Sequence, residues 1–329
     1  MRLPRLGVTL GDPAGVGPEI VLKAFSQPGL LPAAEYTLFG SRQLLQEEQR
    51  RLGLQLRLGN LIFAENEEGS LALLDLGEPS GSWRRGESSA ACGGVSFRYF
   101  EKAVDEARKG RLEAVVTAPI SKQSWHMAGF SWRGHTEYLN SFFSGAIMTF
   151  WSDRMRVALL SHHLPLQEAL RLVKADILHR FFMHLHECLE KAEQTGLELI
   201  VAGLNPHAGE GGVLGKEEER EIRPAVERAK ADGLKISGPW PPDVVFRQAL
   251  DRPDLMAVAL YHDQGLIAFK LVAFETGVNV SLGLPFIRTS PDHGTAFDIV
   301  GLGKADPESL RQALRLGRRL AAAPLQFRP

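Results

Sequence analysis

The chain has few cysteines, no long apolar run and no excess of either charge. Its 329 residues include two cysteines, Cys92 and Cys188. Two cysteines are too few for a disulfide framework in a chain of this size, although one pairing between them stays open. Neither belongs to a C-x-x-C pair, which disfavours a cysteine zinc site. Scarce cysteine favours a reducing compartment, so we predict a cytoplasmic protein.

The charge balance and the short apolar runs narrow the range of partners. Lys and Arg number 38 against 39 Asp and Glu, a net charge of -1. A neutral chain has no bulk attraction to nucleic acid or anionic lipid. No uninterrupted apolar run approaches the roughly 18 residues of a membrane span, and the first run, 6–10, is too short for a signal peptide core. We therefore expect no nucleic-acid or membrane partner, although a local charged patch stays open.

The residues that are present predict an α/β protein. Hydrophobic residues make up 44% and charged residues 23% of the chain, values typical of globular proteins. Amphipathic stretches at 96–109 and 166–195 alternate with short apolar runs, and the longer stretch divides near Asp176. Strand–helix alternation predicts a mostly parallel sheet. The apolar runs lie at 6–10, 36–39, 112–116, 156–161, 197–202, 256–261 and 278–282.

The length suggests about two domains, at roughly 150 residues each. No sharp linker separates them, but turn-rich segments lie near 119–121 and 277–284. We predict that residues 1–120 and 280–329 form a first α/β domain from both chain ends. Residues 121–279 would form a central α/β domain.

In three of the apolar runs, a histidine lies at or just beyond the carboxyl end of the expected strand. The runs and their histidines are 156–161 with His162 and His163, 197–202 with His207, and 256–261 with His262. Open parallel sheets bind ligands outside these ends. Three imidazoles there suit a divalent metal with one position left for substrate.

A simpler interpretation of the histidines remains open. The chain has 10 of them, and loops carry some by chance. The pattern does not choose between His162 and His163. His184 and His186 point apart on an expected helix, so we take them, with His179, as helix-surface or boundary residues.

Two glycine-rich segments are candidate ligand loops. Gly11-Asp-Pro-Ala-Gly-Val-Gly-Pro-Glu19 follows an expected strand and precedes a helix. Its glycines could admit an anion to backbone N–H groups, but it is neither G-x-G-x-x-G nor a P-loop, so a tight structural turn explains it equally well. The second segment, 203–212, has the composition of a ligand loop or a mobile lid.

Several polar residues have both a structural and a functional interpretation. Thr136 could cap a helix, or could join His135 as a donor pair aimed at an anion. Lys270 and Arg288, at apolar borders, are surface charges or cations for carboxylate or phosphate. Asn279, inside an expected strand, is a buried polar group or a substrate contact.

Six motifs taken together resemble the 4-hydroxythreonine-4-phosphate dehydrogenase family, NAD-dependent enzymes of pyridoxal 5'-phosphate synthesis. They are the Thr9–Glu19 segment, Gly134-His-Thr-Glu137, Ser161-His-His-Leu-Pro165, Gly203-Leu-Asn-Pro-His-Ala-Gly-Glu-Gly211, Tyr261-His-Asp-Gln-Gly265 and Gly283-Leu-Pro-Phe-Ile-Arg-Thr-Ser290. The resemblance implies a homodimer of two-domain α/β subunits of the isocitrate/isopropylmalate dehydrogenase type. Its active site would lie in the interdomain cleft at the dimer interface.

The same resemblance implies the ligands of a metal and of a substrate. A divalent ion, usually zinc with Mg²⁺ or Co²⁺ as alternatives, would be held by His163, His207 and His262. One of these would come from the other subunit. The positions that match the family's substrate contacts are His135, Thr136, Lys270, Asn279 and Arg288.

A broader similarity indicates which residues would bind the cofactor. His293-Gly-Thr-Ala-Phe-Asp-Ile299 is similar to the adenosine-binding loop of isopropylmalate and isocitrate dehydrogenases. The match implies that His293, Gly294 and Asp298 bind the cofactor. A carboxylate accepts hydrogen bonds from ribose hydroxyls and repels a 2'-phosphate, which favours NAD over NADP.

The implied reaction oxidises 4-phosphohydroxy-L-threonine and releases CO2 to give 3-amino-2-oxopropyl phosphate. Asp263 and Lys122 are candidates for a proton relay, although each is also suited to a structural or substrate-binding role. The nearest alternative is a sister dehydrogenase for threonate or erythronate 4-phosphate. More remote alternatives are a phosphate acyltransferase and a non-catalytic ligand-binding protein.

Overall fold

The apolar runs form strands, and helices lie between many of them. The structure is a computed structural model that describes residues 2–143 and 145–321. The strands are β1 (Arg5–Thr9), β2 (Glu35–Gly40), β3 (Gly59–Ile62), β4 (Glu68–Asp75), β5 (Ala114–Thr117), β6 (Ile147–Trp151), β7 (Arg156–Leu159), β8 (Glu198–Ala202), β9 (Ile236–Trp240), β10 (Leu255–Ala259), β11 (Val278–Leu282) and β12 (Ile287–Pro291). Each of the seven apolar runs overlaps a strand, which confirms the α/β class.

The helices fill the intervals between the strands. They are α1 (Gly17–Phe25), α2 (Arg42–Leu52), α3 (Ala90–Arg108), α4 (Lys122–Met127), α5 (His135–Asn140), α6 (Leu166–Arg171), α7 (Ala175–Lys191), α8 (Arg223–Ala231), α9 (Pro242–Ala249), α10 (His262–Ala273) and α11 (Glu308–Ala321). The long amphipathic stretch divides as predicted, because α6 ends at Arg171 and α7 begins at Ala175. Among the described residues, no helix is long and apolar enough to cross a membrane.

The described residues form two compact units. One contains the chain up to residue 143 and again from Leu284 onward, and the other is Gly145–Gly283. The first unit has the strand order β3-β4-β2-β1-β5-β12, in which only β3 runs antiparallel to its neighbour. Leu6 and Val8 of β1 are fully buried, as expected for the centre of a parallel sheet covered by helices.

The boundary after residue 143 lies later than the predicted boundary at 120, because α4 and α5 pack on α3. Phe97 of α3 contacts Trp125 edge-on at 5.2 Å and Tyr138 at 5.3 Å between ring centroids. Trp125 also donates a hydrogen bond from its indole N–H to Ser96 at 3.0 Å. These aromatic side chains are buried together, so residues 121–143 belong to the first unit.

The second unit is a sheet of order β11-β6-β7-β10-β8-β9. β7, β10 and β8 are adjacent and parallel, whereas β6 runs antiparallel to both of its neighbours. Fully buried Val157, Ala257 and Phe269 lie in its core. The carboxyl ends of β7, β10 and β8 therefore meet at one edge of the sheet, and the three histidine-bearing segments follow these strands.

The α3–α4 contact predicts opposite effects for two neighbouring glycines. An ideal Cβ on Gly93 would lie 1.9 Å from the carbonyl oxygen of Ser124, whereas nothing lies within 4 Å of a Cβ on Gly94. Gly93→Ala should lower the free energy of unfolding by about 1–3 kcal/mol through overpacking. Gly94→Ala should raise it by about 0.5–1 kcal/mol through the higher helix propensity of alanine. Urea unfolding of both variants checks this, and equal effects would contradict the packing.

Candidate active site

Two of the three candidate histidines lie together. His262 is the first residue of α10, and His163 follows β7 with a φ of 41°. Their ring centroids are 5.6 Å apart. His162 is half-buried and meets His163 edge-on at 5.4 Å, whereas His163 is exposed beside His262. The structure therefore places His163 next to His262.

Asp263 orients the imidazole of His262. Nδ1 of His262 lies 2.7 Å from Oδ1 of Asp263. Because a carboxylate only accepts hydrogen bonds, Nδ1 carries a proton, and in the neutral imidazole Nε2 is then the nitrogen with the lone pair. A carboxylate that fixes the tautomer in this way is the usual companion of a metal-binding histidine.

His207 lies on the same edge of the sheet, in an unusual loop. Five consecutive residues, His207 to Gly211, have positive φ, between 42° and 77°. Three of them are not glycine, and a left-handed conformation costs such residues about 1–2 kcal/mol each. Strain of this kind concentrates at functional sites. Within the described parts of the chain, no three His, Cys, Asp or Glu side chains are grouped closely enough to hold a metal ion.

The first unit contributes a buried arginine–histidine pair. Arg288 of β12 donates from Nη2 to Oγ1 of Thr117 at 2.8 Å and to Nδ1 of His135 at 3.1 Å. Because arginine cannot accept, Nδ1 of His135 is unprotonated and Nε2 carries the hydrogen. No described residue accepts a hydrogen bond from Nε2, so this N–H is a donor suited to an anion.

Burial controls the charge state of this pair. Desolvation lowers the pKa of Arg288 to about 10, so its guanidinium remains cationic at neutral pH. Desolvation, and then the positive charges of Arg288 and Lys122, hold the pKa of His135 well below its usual value. The site therefore combines one fixed cation with one neutral donor.

Lys122 and Thr136 lie near this pair. Lys122 begins α4, and its Cε lies 3.7 Å from where a Cβ on Gly134 would stand. Gly134, rather than Thr136, is the N-cap of α5, with His135 and Thr136 in its first turn. The capping prediction for Thr136 was therefore wrong, because the helix begins one residue before it.

Lys270 and Asn279 lie in α10 and β11 of the second unit. Lys270 lies near the carboxyl end of α10, about 12 Å along the axis from His262 at 1.5 Å per residue. Asn279 is half-buried in β11, opposite Phe150 of β6. The role of both residues as substrate contacts stays a prediction.

The predicted cofactor residues lie on a loop that the glycine-rich turn supports. The backbone N–H of Val16 donates to the carbonyl of Thr295 at 3.0 Å. His293 is half-buried, whereas Gly294 and Asp298 are exposed. The turn at 11–19 therefore supports a neighbouring loop, a role that its sequence alone did not distinguish from anion binding.

A buried ionic cluster that the sequence analysis missed holds the end of this loop. Glu19 accepts hydrogen bonds from Lys23, Arg51 and the backbone N–H of Ala305, at 2.8, 2.8 and 3.0 Å. Burial raises the pKa of Glu19, but the hydrogen bonds from Lys23 and Arg51 outweigh it and leave the pKa below its usual value. Lys23 also donates to the carbonyls of Gly303 and Ala305.

These features together define a class: an α/β enzyme with imidazoles at its strand ends and a buried cation suited to an anionic small molecule. The chain belongs to the family described as pyridoxal phosphate biosynthetic protein PdxA, whose family model matches residues 32–317. Relatives that match nearly the whole chain are dehydrogenases, and the resemblance found in the sequence motifs is confirmed.

Two of these relatives differ in their named substrate. A 4-hydroxythreonine-4-phosphate dehydrogenase of Aquifex aeolicus is 41% identical over 317 residues, 95% of this chain and 97% of that protein. A D-threonate 4-phosphate dehydrogenase of Cupriavidus necator is 38% identical over 327 residues, covering 97% and 98%. A crystal structure of 4-hydroxythreonine-4-phosphate dehydrogenase from Klebsiella pneumoniae superposes with a TM-score of 0.81 at 36% identity, covering 97% of this chain and 98% of that one.

Burial of neutral His135 predicts an acid-sensitive contribution to stability. The unfolded chain takes up a proton at this residue near pH 6.5, and the folded chain resists it, so stability is lost as the pH falls. Below about pH 6.5, the wild type should lose up to about 1.4 kcal/mol per pH unit relative to His135→Gln. Urea unfolding between pH 5 and 8 measures this, with His126→Gln, an exposed histidine of α4, as the control. Parallel curves for wild type and His135→Gln would contradict it.

Proposed function

We propose that this protein oxidises 4-phosphohydroxy-L-threonine with NAD and a divalent metal, and decarboxylates the product to 3-amino-2-oxopropyl phosphate in pyridoxal 5'-phosphate biosynthesis. The observation that carries the proposal is the arrangement of β7, β10 and β8, neighbouring parallel strands that are each followed by a candidate metal ligand. Membership of the family and the named activity of the Aquifex relative support it.

The residues present suit a metal of the zinc type. Imidazole nitrogens are good ligands for zinc, and His163 and His262 lie together with the tautomer of His262 fixed by Asp263. His207 would be the third ligand, and the family resemblance implies that one histidine comes from a second subunit. When bound, the ion would lower the pKa of the substrate hydroxyl and polarise the carbonyl formed from it.

A homodimer is supported by an exposed apolar face on α10. Ile267 and Leu271 of this helix and Phe274 just after it are 63%, 82% and 70% exposed. Large exposed apolar patches mark interaction surfaces. His262 begins the same helix, so a partner that covers this face would also lie against the element that carries a metal ligand.

Phosphate and carboxylate groups of the substrate would be bound by the cations. Arg288 offers a fixed fork of donors, and neutral His135 offers its Nε2–H. Lys122 and Thr136 lie close to this pair and would add a charge and a hydroxyl. Lys270 and Asn279 would complete the substrate contacts, as the resemblance implies.

The hydride would pass to NAD, whose adenosine would contact His293, Gly294 and Asp298. The substrate hydroxyl loses its proton, with Asp263 or Lys122 as the candidate relay, and its carbon loses the hydride. The resulting β-keto acid then releases CO2. The chain's own contribution would be to orient the substrate through Arg288 and to hold His262 in one tautomer.

Oxidation of D-threonate 4-phosphate is the second candidate activity. It is favoured by the Cupriavidus relative, which matches this chain over a similar length at nearly the same identity. The two substrates share the phosphate and the secondary alcohol and differ in an amino or hydroxyl group. The same metal and phosphate contacts would serve both.

Formation of NADH by purified, zinc-loaded protein tests the proposal directly. Absorbance is followed with 4-phosphohydroxy-L-threonine and, in parallel, with 4-phospho-D-threonate. We expect turnover of the amino acid, loss of at least 100-fold in kcat/KM for His207→Ala, and loss of activity after chelation. Turnover of threonate phosphate alone would move the protein to the second activity. Full activity after complete metal removal would contradict the mechanism.

Asp298 predicts the choice of nicotinamide cofactor. Asp298→Asn removes the charge that would accept ribose hydroxyls and repel a 2'-phosphate. The loss of a charged hydrogen bond, about 1.5–3 kcal/mol, should lower kcat/KM for NAD about 10–100-fold and reduce the preference for NAD over NADP. Asp306→Asn, another exposed aspartate, is the control. An unchanged NAD/NADP ratio would remove Asp298 from the cofactor site.

A further inference from the structure

We propose that Glu218 is a positioning residue that holds the His207 loop, residues 203–212, in the conformation required to present His207 to a metal. This inference rests on the proposed function, because it assigns His207 a metal to bind. It requires neither a particular substrate nor a particular source for the remaining ligands.

The carboxylate of Glu218 is bound at the entrance of this loop. Its side chain is fully buried. Oε1 accepts from the backbone N–H groups of Leu204 and Asn205, both at 2.7 Å, and Oε2 accepts from Nδ2 of Asn205 at 2.9 Å. A buried carboxylate costs free energy unless such donors compensate it. All three donors belong to the loop, so the carboxylate and the loop stabilise each other.

The loop also folds closely over the same carboxylate. A Cβ on Gly209 would lie 2.7 Å from Oε2 of Glu218, so the middle of the left-handed segment passes within contact of the buried group. The backbone N–H of Leu214 donates a hydrogen bond to the carbonyl of Gly209 at 3.0 Å. In the sequence, His207 lies between Asn205, which is hydrogen-bonded to Glu218, and Gly209, which approaches the same carboxylate. The backbone of His207 is therefore held on both sides.

Two further buried side chains join the base of the loop to the other histidine-bearing strand ends. Gln264 accepts from the backbone N–H of Leu260 at 2.7 Å and donates to the carbonyl of Gly203 at 2.8 Å. Ser161 donates to the carbonyl of Leu260 at 2.9 Å. The ends of β7, β10 and β8 are thereby linked by side chains as well as by the sheet. Glu218 extends this linkage into the loop.

The position of Glu218 is itself fixed by an irregular helix. It begins a π-helical turn, Glu218–Ile222, that leads into α8. Ile222 at the other end of the turn is fully buried. Turns of this type occur often at functional sites. Here the turn directs Glu218 inward, whereas Glu217 and Glu219 on either side of it are exposed.

The test compares Glu218→Gln with Glu227→Gln, which removes an exposed charge from the helix that follows the turn. Zinc affinity is measured by competition with a chromophoric chelator, and hydrogen exchange of residues 203–212 is measured in zinc-free protein. We expect Glu218→Gln to exchange faster in this segment and to bind zinc about 10–100-fold more weakly, as for other residues that orient metal ligands. Glu227→Gln should match the wild type in both measurements.

Asn205→Ala removes one of the three donors and serves if Glu218→Gln does not fold. It should shift both measurements in the same direction by a smaller factor. Wild-type exchange in Glu218→Gln, or faster exchange with unchanged zinc affinity, would overturn the proposal. Failure of the proposed function looks different, since the wild type and both glutamate variants would then all fail to bind zinc while only Glu218→Gln exchanged faster.

Discussion

Parallel pairing of β7, β10 and β8 is the constraint on which the candidate site of the second unit depends. Parallel strands end at the same edge of a sheet, so the segments that follow them must share that edge. The buried apolar residues of these strands fix their register, and a shift of one residue would turn every side chain to the opposite face. His163 and His262 therefore lie together through strand pairing, although they are distant in sequence.

The first unit contains two buried charged side chains, Glu19 and Arg288, with different kinds of partner. Glu19 is surrounded by Lys23, Arg51 and a backbone N–H, so its charge is compensated inside the protein. Arg288 instead hydrogen-bonds to a hydroxyl and a neutral imidazole, and its guanidinium remains cationic. The first arrangement stabilises a loop, and the second contains a buried cation.

Apolar patterning predicted the positions of seven strands, and it predicted the histidines that follow three of them. It did not predict β3, β4, β6, β9 and β12. Every residue of β6 is buried and all but Thr149 are apolar, whereas Ile-Arg-Thr-Ser-Pro of β12 looks polar although every residue in it is buried. The predicted boundary at residue 120 is too early, because the sequence did not show that residues 121–143 pack on α3 through aromatic side chains. Glu218 carried no signal in the sequence, since it stands among exposed glutamates and only the backbone geometry turns it inward. The metal ligands, substrate contacts and cofactor residues taken from the family resemblance remain predictions.

The order in which the chain leaves the ribosome has a consequence for the first unit. Its strand β5 pairs with β12, although about 170 residues separate them in the sequence. The second unit is contiguous, so it can close as soon as residue 283 has emerged, whereas the first must wait for the last part of the chain. Arg288 belongs to β12, so it is synthesised after the whole second unit. A nascent chain therefore contains every candidate metal ligand before it acquires this buried cation, so the pair of Arg288 and His135 is completed only after the second unit.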